Sequence, residues 1–98
     1  MEIEKNIKES ELSVAVKGRI DTMTAPQLEQ ELSLDGITSL VFDLVDVDYV
    51  SSAGLRLFLS SHKQMMKQGG KMVLRHLRPV VREVFDLTGF SDILNLEE

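Results

Sequence analysis

Residues Ala53 to Gln68 place Leu55, Phe58, Leu59, His62 and Met65/Met66 at spacings of three and four, with Arg56, Ser60, Lys63 and Lys67 opposite. That period predicts an amphipathic helix with one apolar face. Two strand-like segments bracket it: the nearly unbroken apolar run Ser39-Leu40-Val41-Phe42-Asp43-Leu44 before it and Lys71-Met72-Val73-Leu74-Arg75 after it. Gly69-Gly70 ends the helix by supplying left-handed conformations. A helix between two strands of one sheet is a crossover, and crossovers join parallel strands with a right-handed sense. The apolar run reads as a central strand. This unit commits the chain to an α/β architecture.

The flanking segments extend the same plan. Glu11 to Gly18 alternates at period two, with Leu12, Val14 and Val16 facing one way, which predicts a strand with one buried face. A strand around Ile3 to Ile7 is placed to pair with it as a hairpin through Lys8-Glu9-Ser10. Thr24 with Gln27 three residues on reads as a capping box, and Pro26 suits the first turn of a helix whose Ala25, Leu28 and Leu32 share a face. Asp35-Gly36 closes that unit. Pro79 opens a third helix with Val81, Val84 and Phe85 as its buried stripe; Thr88-Gly89 ends it, and a short Ile93 to Leu96 segment follows. A hairpin followed by alternating helices and strands implies a mixed sheet of four to five strands with helices packed on it. At 98 residues, 43% hydrophobic and 28% charged, the chain is expected to form a single domain over residues 1–98.

Composition removes several function classes. No apolar run approaches the roughly 20 residues of a membrane helix, and Met1-Glu2-Ile3-Glu4-Lys5 lacks the order of a signal peptide, so a cytoplasmic protein is expected. The absence of cysteine excludes disulfides, thiolate zinc sites and cysteine nucleophiles. The net charge of −5 is unevenly spread: residues 1–49 hold 11 acids and 4 bases (−7), residues 50–98 hold 5 acids and 7 bases (+2). An acidic chain is a poor match for nucleic acid, which demands a concentrated basic face. The basic series Lys63, Lys67, Lys71, Arg75, Arg78 and Arg82 reads as the solvated side of helices and strand edges. A surface for a partner protein is what remains.

The chemistry-bearing residues are few. Ser51 and Ser52 stand where an acidic strand and loop give way to the Ala53 to Gln68 helix. A serine there caps the helix, attacks a substrate or carries a phosphate. The nucleophile elbow needs glycines two before and two after the serine; Ser52 has Gly54 after it but Val50 before it. His62 lies on the apolar helix face, as a satisfied core or boundary histidine would, and His76 follows a strand as a loop residue. Asp43, Asp46 and Asp48 lack the glycine and the twelfth-position glutamate of a calcium loop, so no metal site is expected. Gly69-Gly70 follows a helix without a lysine-serine pair behind it and is no phosphate loop.

Gly18-Arg19-Ile20-Asp21-Thr22-Met23-Thr24-Ala25, then Phe42-Asp43-Leu44, Tyr49-Val50-Ser51-Ser52-Ala53-Gly54-Leu55 and Gly69-Gly70-Lys71 together resemble the STAS-domain anti-anti-sigma factors, end to end. The resemblance implies a STAS fold and a partner-switching protein without catalysis or cofactor. Unphosphorylated, such a protein binds an anti-sigma factor with serine kinase activity and frees the sigma factor; phosphorylation of one serine by that kinase switches it off, and a protein serine phosphatase resets it. The family's modified serine lies two residues before the glycine-leucine pair, here Gly54-Leu55, which implies Ser52, with Ser51 as the fallback. The resemblance places Asp21 beside the phosphorylatable loop, and Thr22, Ser51, Ala53 and Gly54 complete the expected switch loop. Arg56, Ser60 and Lys63, on the exposed side of the helix, are the expected partner footprint. A phosphate on Ser52 would meet the free N–H groups and the positive end of the helix, with Arg56 one turn on either pairing with it or solvated. Near Asp21, Asp46 and Asp48, if the fold gathers them, the added charge would repel a partner adapted to the unmodified hydroxyl. The alternatives are a STAS scaffold or adaptor in a stress-sensing or lipid-transport complex and, more remotely, a small serine hydrolase. As to self-association, a monomer or weak dimer is expected.

Overall fold

The computed structural model describes residues 1–97. Strands β1 (Glu2–Lys8) and β2 (Glu11–Ile20) form an antiparallel hairpin, and β3 (Ser39–Val50), β4 (Lys71–Arg75) and β5 (Asn95–Glu97) follow in parallel, giving a five-stranded sheet in the order β1-β2-β3-β4-β5. Helices α1 (Ala25–Gln30), α2 (Ser52–Lys67) and α3 (Pro79–Thr88) make the connections, and a short 3-10 turn over Phe90–Asp92 leads into β5. The mixed α/β sheet expected from the strand and helix periods is the one observed, with the terminal segment supplying its fifth strand.

The core lies on one face of the sheet. Leu12, Val14 and Val16 of β2 are buried while Glu11, Ala15 and Lys17 on the alternate positions are exposed, so the opposite face of β2 meets water. Against Leu40 and Phe42 of β3 and Met72 and Leu74 of β4, α2 brings Leu55, Phe58 and Met65, and α3 brings Val81 and Phe85. Phe58 meets Phe42 edge-on at 5.0 Å between ring centroids, which ties helix to sheet at the centre.

Four local expectations are corrected. The acidic stretch after Leu44 is not a loop: β3 continues to Val50, with Leu44, Val47 and Val50 buried at intervals of three. Register shifts where Ala15 and Lys17 face Asp43 and Asp46, and where Gly18 and Arg19 face Val47 and Tyr49, each insert an extra residue into β3. Two bulges thus hide the strand's period of two. The capping box at Thr24 does not form; its hydroxyl instead donates to the Arg19 carbonyl at 2.7 Å and accepts the Asp21 amide at 2.8 Å. The buried arc of α2 is also rotated. Leu57 is buried and Met66 is 60% exposed, because α1 covers the Leu57 flank of the helix. Of the two glycines after α2, only Gly69 is left-handed (φ +72°); Gly70 is there for space, since a Cβ would fall 2.6 Å from the Thr38 carbonyl oxygen.

Candidate functional site

The two serines do different work. Ser51, extended at φ −90° and ψ 177°, is the N-cap of α2; its hydroxyl accepts from the Gly54 amide at 3.5 Å and its carbonyl from the Leu55 amide at 3.0 Å. Ser52, expected just ahead of the helix, is instead its first residue, with its side chain exposed. The cap role falls to Ser51 and leaves the Ser52 hydroxyl turned to solvent. No acid occupies the first turn of α2, so the positive end of the helix dipole beside Ser52 is uncompensated from within the helix.

Gly54 is buried, and its role is to seat the helix rather than to be touched from outside. A Cβ there would lie 2.8 Å from Ile20 Cγ2 and 2.9 Å from Val50 Cγ1, so only glycine lets α2 start this close to the ends of β2 and β3. The Ser51 amide then reaches the Ile20 carbonyl at 2.8 Å. Asp21, next in the chain, is thereby brought alongside the serine loop. Asp21 Oδ1 accepts the amides of Met23 and Thr24, each at 3.0 Å, which closes a tight turn before α1. Chiefly the Thr24 amide, helped by the Met23 amide, the Thr24 hydroxyl and Arg19 and opposed by partial burial, holds its carboxyl below the ordinary 3.8.

The acids expected to gather here do not all do so. Asp46 lies five strand positions before Ser51, roughly 16 Å away along β3, and sits 3.7 Å from the Arg78 guanidinium. Asp48 is exposed on the same strand. Asp21 is the acid tied to the serine loop.

Thr22, Ala53, Arg56 and Ser60 line one groove of about 400 Å³ between α1 and α2, together with Pro26, Glu29 and the buried Ser61. Arg56, Ser60 and Lys63 share a second, shallower groove on the outer side of α2 with Leu59, Gln64 and Lys67. Of the residues expected in the switch loop or footprint, Thr22, Ala53, Arg56, Ser60 and Lys63 therefore lie along two grooves that meet at Arg56 and Ser60, while Asp21, Ser51 and Ser52 line neither. Residues not expected there are Met23, 80% exposed in the Asp21 turn, and Arg19, whose guanidinium lies 4.2 Å over the Tyr49 ring and 3.5 Å from Asp21 Oδ2. An exposed Met in a polar turn was a legible signal; the Arg19 and Tyr49 pairing depended on the β3 bulges. His62 is not the satisfied histidine expected: its Nδ1 is buried without a hydrogen-bond partner among the described residues. Among those residues no group of three or more metal-binding side chains occurs, and no helix is long and apolar enough to cross a membrane.

The STAS domain profile matches residues 2–98. BtrV of Bordetella bronchiseptica is 42% identical over 85 residues, covering 84% of this chain and 73% of its own length. The anti-sigma-B factor antagonist of Bacillus subtilis is 34% identical over 100 residues, covering 98% of this chain and 92% of its own. Among solved structures, the anti-sigma factor antagonist SpoIIAA in its unphosphorylated form superposes with a TM-score of 0.84 at 17% identity, over 97% of this chain and 87% of that one. The phosphorylated form of the Bacillus protein SpoIIAA superposes at 0.76 and 16% identity, over 97% and 90%. At such identities those two structures speak for the fold, while the profile and the Bacillus subtilis relative speak for descent: the chain belongs to the STAS-domain family of anti-sigma factor antagonists.

Proposed function

We propose that this protein is an anti-sigma factor antagonist, a single STAS domain over residues 1–98 that switches partners by phosphorylation of Ser52. Unmodified, it binds an anti-sigma factor with serine kinase activity through the surface formed by Asp21, Thr22, Ala53, Arg56, Ser60 and Lys63, and the sigma factor is released. The kinase transfers the γ-phosphoryl of ATP to the Ser52 hydroxyl, whose proton is lost, and ADP leaves. A protein serine phosphatase resets the switch by hydrolysis. The protein acts as substrate and binding module in the cytoplasm, without catalysis or cofactor of its own.

The observation that carries this reading is the separation of Ser51 from Ser52. Because Ser51 supplies the cap, Ser52 is free to be modified without removing a bond that holds the helix. A phosphate at the first position of α2 adds about −1.5 to −2 charges where backbone N–H groups favour an anion, so the fold tolerates it while a partner seated on the bare hydroxyl meets bulk and repulsion. Switching is then an interface event. That SpoIIAA has been solved in both phosphorylation states supports the analogy.

The test is incubation with ATP and the cognate anti-sigma kinase, with the modified residue mapped by mass spectrometry. Incorporation at Ser52 is expected; none at Ser52 or Ser51 rejects the proposal. Ser52→Ala is expected to bind the anti-sigma factor constitutively and Ser52→Glu weakly. Equal binding by both would reject the electrostatic mechanism.

A further inference from the structure

Helix α2 carries no aspartate or glutamate, although the whole chain is acidic at −5. Its outward face bears Arg56, Lys63 and Lys67, all exposed, at i, i+7 and i+11. These positions fall on one helix face. Most of the chain's other cations are neutralised at home: Lys5 pairs with Glu31, Lys17 with Glu2, Arg19 with Asp21, Arg75 with Glu97, Arg78 with Asp46 and Arg82 with Asp86, whereas Lys8 and Lys71, which also enter no ion pair among the described residues, stand singly on β1 and β4. Arg56, Lys63 and Lys67 enter no ion pair among the described residues, and the nearest carboxylate to share a groove with any of them is Glu29, opposite Arg56. Three uncompensated cations along the rim of a groove of about 470 Å³ make a ridge complementary to an acidic segment.

We infer that this ridge docks an acidic segment of the protein partner, and that it has two functionally distinct ends. Arg56 lies about 6 Å along the helix axis from Ser52, whereas Lys63 and Lys67 lie roughly 16 and 22 Å away. The Debye length at physiological salt is about 8 Å. A phosphate on Ser52 therefore neutralises Arg56 and leaves Lys63 and Lys67 cationic. The Arg56 end is gated by phosphorylation; the Lys63 and Lys67 end steers the partner in either state. A protein fits better than a nucleic acid, since three spaced cations on an acidic domain do not form a concentrated phosphate-binding face.

The inference rests on the proposed partner switching for its gating, and two experiments keep them apart. Association with the cognate anti-sigma factor is measured by stopped flow at low and high salt. Lys63→Glu/Lys67→Glu is expected to slow association about tenfold at low salt, by the same factor with Ser52 or Ser52→Glu, the effect vanishing at high salt. Arg56→Glu is expected to slow the Ser52 protein and to have little further effect on Ser52→Glu. Wild-type rates for the double lysine variant, or a lysine effect that disappears with Ser52→Glu, overturn the inference. Failure of the wild type to bind any anti-sigma factor rejects the proposed function instead; the ridge is then decided by NMR titration of the labelled protein with a twelve-residue glutamate peptide. Shifts at the Arg56, Lys63 and Lys67 amides, abolished in the double variant, uphold it. No such shifts, or stronger ones from duplex DNA or phosphatidylserine vesicles, overturn it.

Discussion

The backbone N–H of Ser51 donates to the Ile20 carbonyl at 2.8 Å, and this bond fastens the head of α2 to the last residue of β2. Because Asp21 follows Ile20 directly, the turn built on its carboxylate and the serine pair are held as one rigid corner. The corner positions two hydroxyls a residue apart, Ser51 half-buried as the cap and Ser52 exposed. That division governs how the two serines respond to mutation.

Ser51→Ala removes the N-cap acceptor of the Gly54 amide and is expected to cost about 0.5–1 kcal/mol, the lower end of the usual range because the bond is long at 3.5 Å. Ser52→Ala, at an exposed first-turn position, is expected to change stability by less than about 0.5 kcal/mol. Urea denaturation of both variants tests this. A larger loss for Ser52→Ala than for Ser51→Ala would reverse the assignment of cap and free hydroxyl. Ser51→Ala is also expected to keep phosphate incorporation at Ser52.

Gly54→Ala sets two effects against each other. Alanine improves helix propensity by about 1 kcal/mol, yet its Cβ would lie 2.8 Å from Ile20 Cγ2 and 2.9 Å from Val50 Cγ1, at a packing cost of about 1–3 kcal/mol. Packing is expected to win by about 1 kcal/mol, since both neighbours are buried β-branched side chains with little room to move. The displaced helix should weaken the Ser51 to Ile20 bond, read as faster hydrogen exchange at the Ser51 amide. A variant more stable than wild type would show that the contact relaxes freely.

The Asp21 carboxylate is stabilised by the Thr24 and Met23 amides, so its folded pKa lies below the unfolded one. The sign follows: the contribution to stability is complete above the ordinary carboxylate value of 3.8 and is lost as pH falls through the depressed folded value. Asp86, held low chiefly by the Ser91 hydroxyl and also by Arg82, acts in the same window. Acid unfolding monitored by circular dichroism should be less steep in Asp21→Asn, and the Asp21 carboxyl carbon should titrate below 3.8 by NMR. Titration above that value would contradict the turn geometry.

Much of this fold was legible because strong periods recur where tertiary packing agrees with them. The alternation of Leu12, Val14 and Val16 and the three-four spacing in α2 survive into the structure, as does the left-handed Gly89 that ends α3. What stayed hidden depended on partners distant in sequence. The second half of β3 could not be read as a strand because its bulges are defined only against β2. Leu57 could not be separated from the exposed face of α2 until α1 was in place beside it. Thr24 offered a cap by local sequence, but the nearby Arg19 carbonyl took its hydroxyl. In the site, the serine pair and Asp21 were legible from spacing and resemblance. Which serine caps was not, since a one-residue change in the helix start exchanges their roles.

Phe58 links the site to the core. Its ring meets Phe42 of β3 at 5.0 Å and 75°, and Phe85 of α3 at 6.0 Å and 38°, so one side chain joins sheet and two helices. Phe58→Ala is expected to cost about 3–5 kcal/mol, a large part of the roughly 5–15 kcal/mol that holds a domain of this size together. Phe58→Leu keeps most of the volume and should cost about 1.5 kcal/mol. Because Ser52 lies on the same helix six residues earlier, a switch that works at the surface and a switch that works by refolding predict different behaviour for the leucine variant. Surface switching expects Phe58→Leu to lose stability in urea while its phosphorylation rate and partner affinity stay within about twofold of wild type, the helix head being held separately by Ser51 and Ile20. If affinity instead fell in step with stability across Phe58→Leu and milder core variants, the switch would be coupled to core packing, and the rigid corner at Ser51 would not be the element that matters.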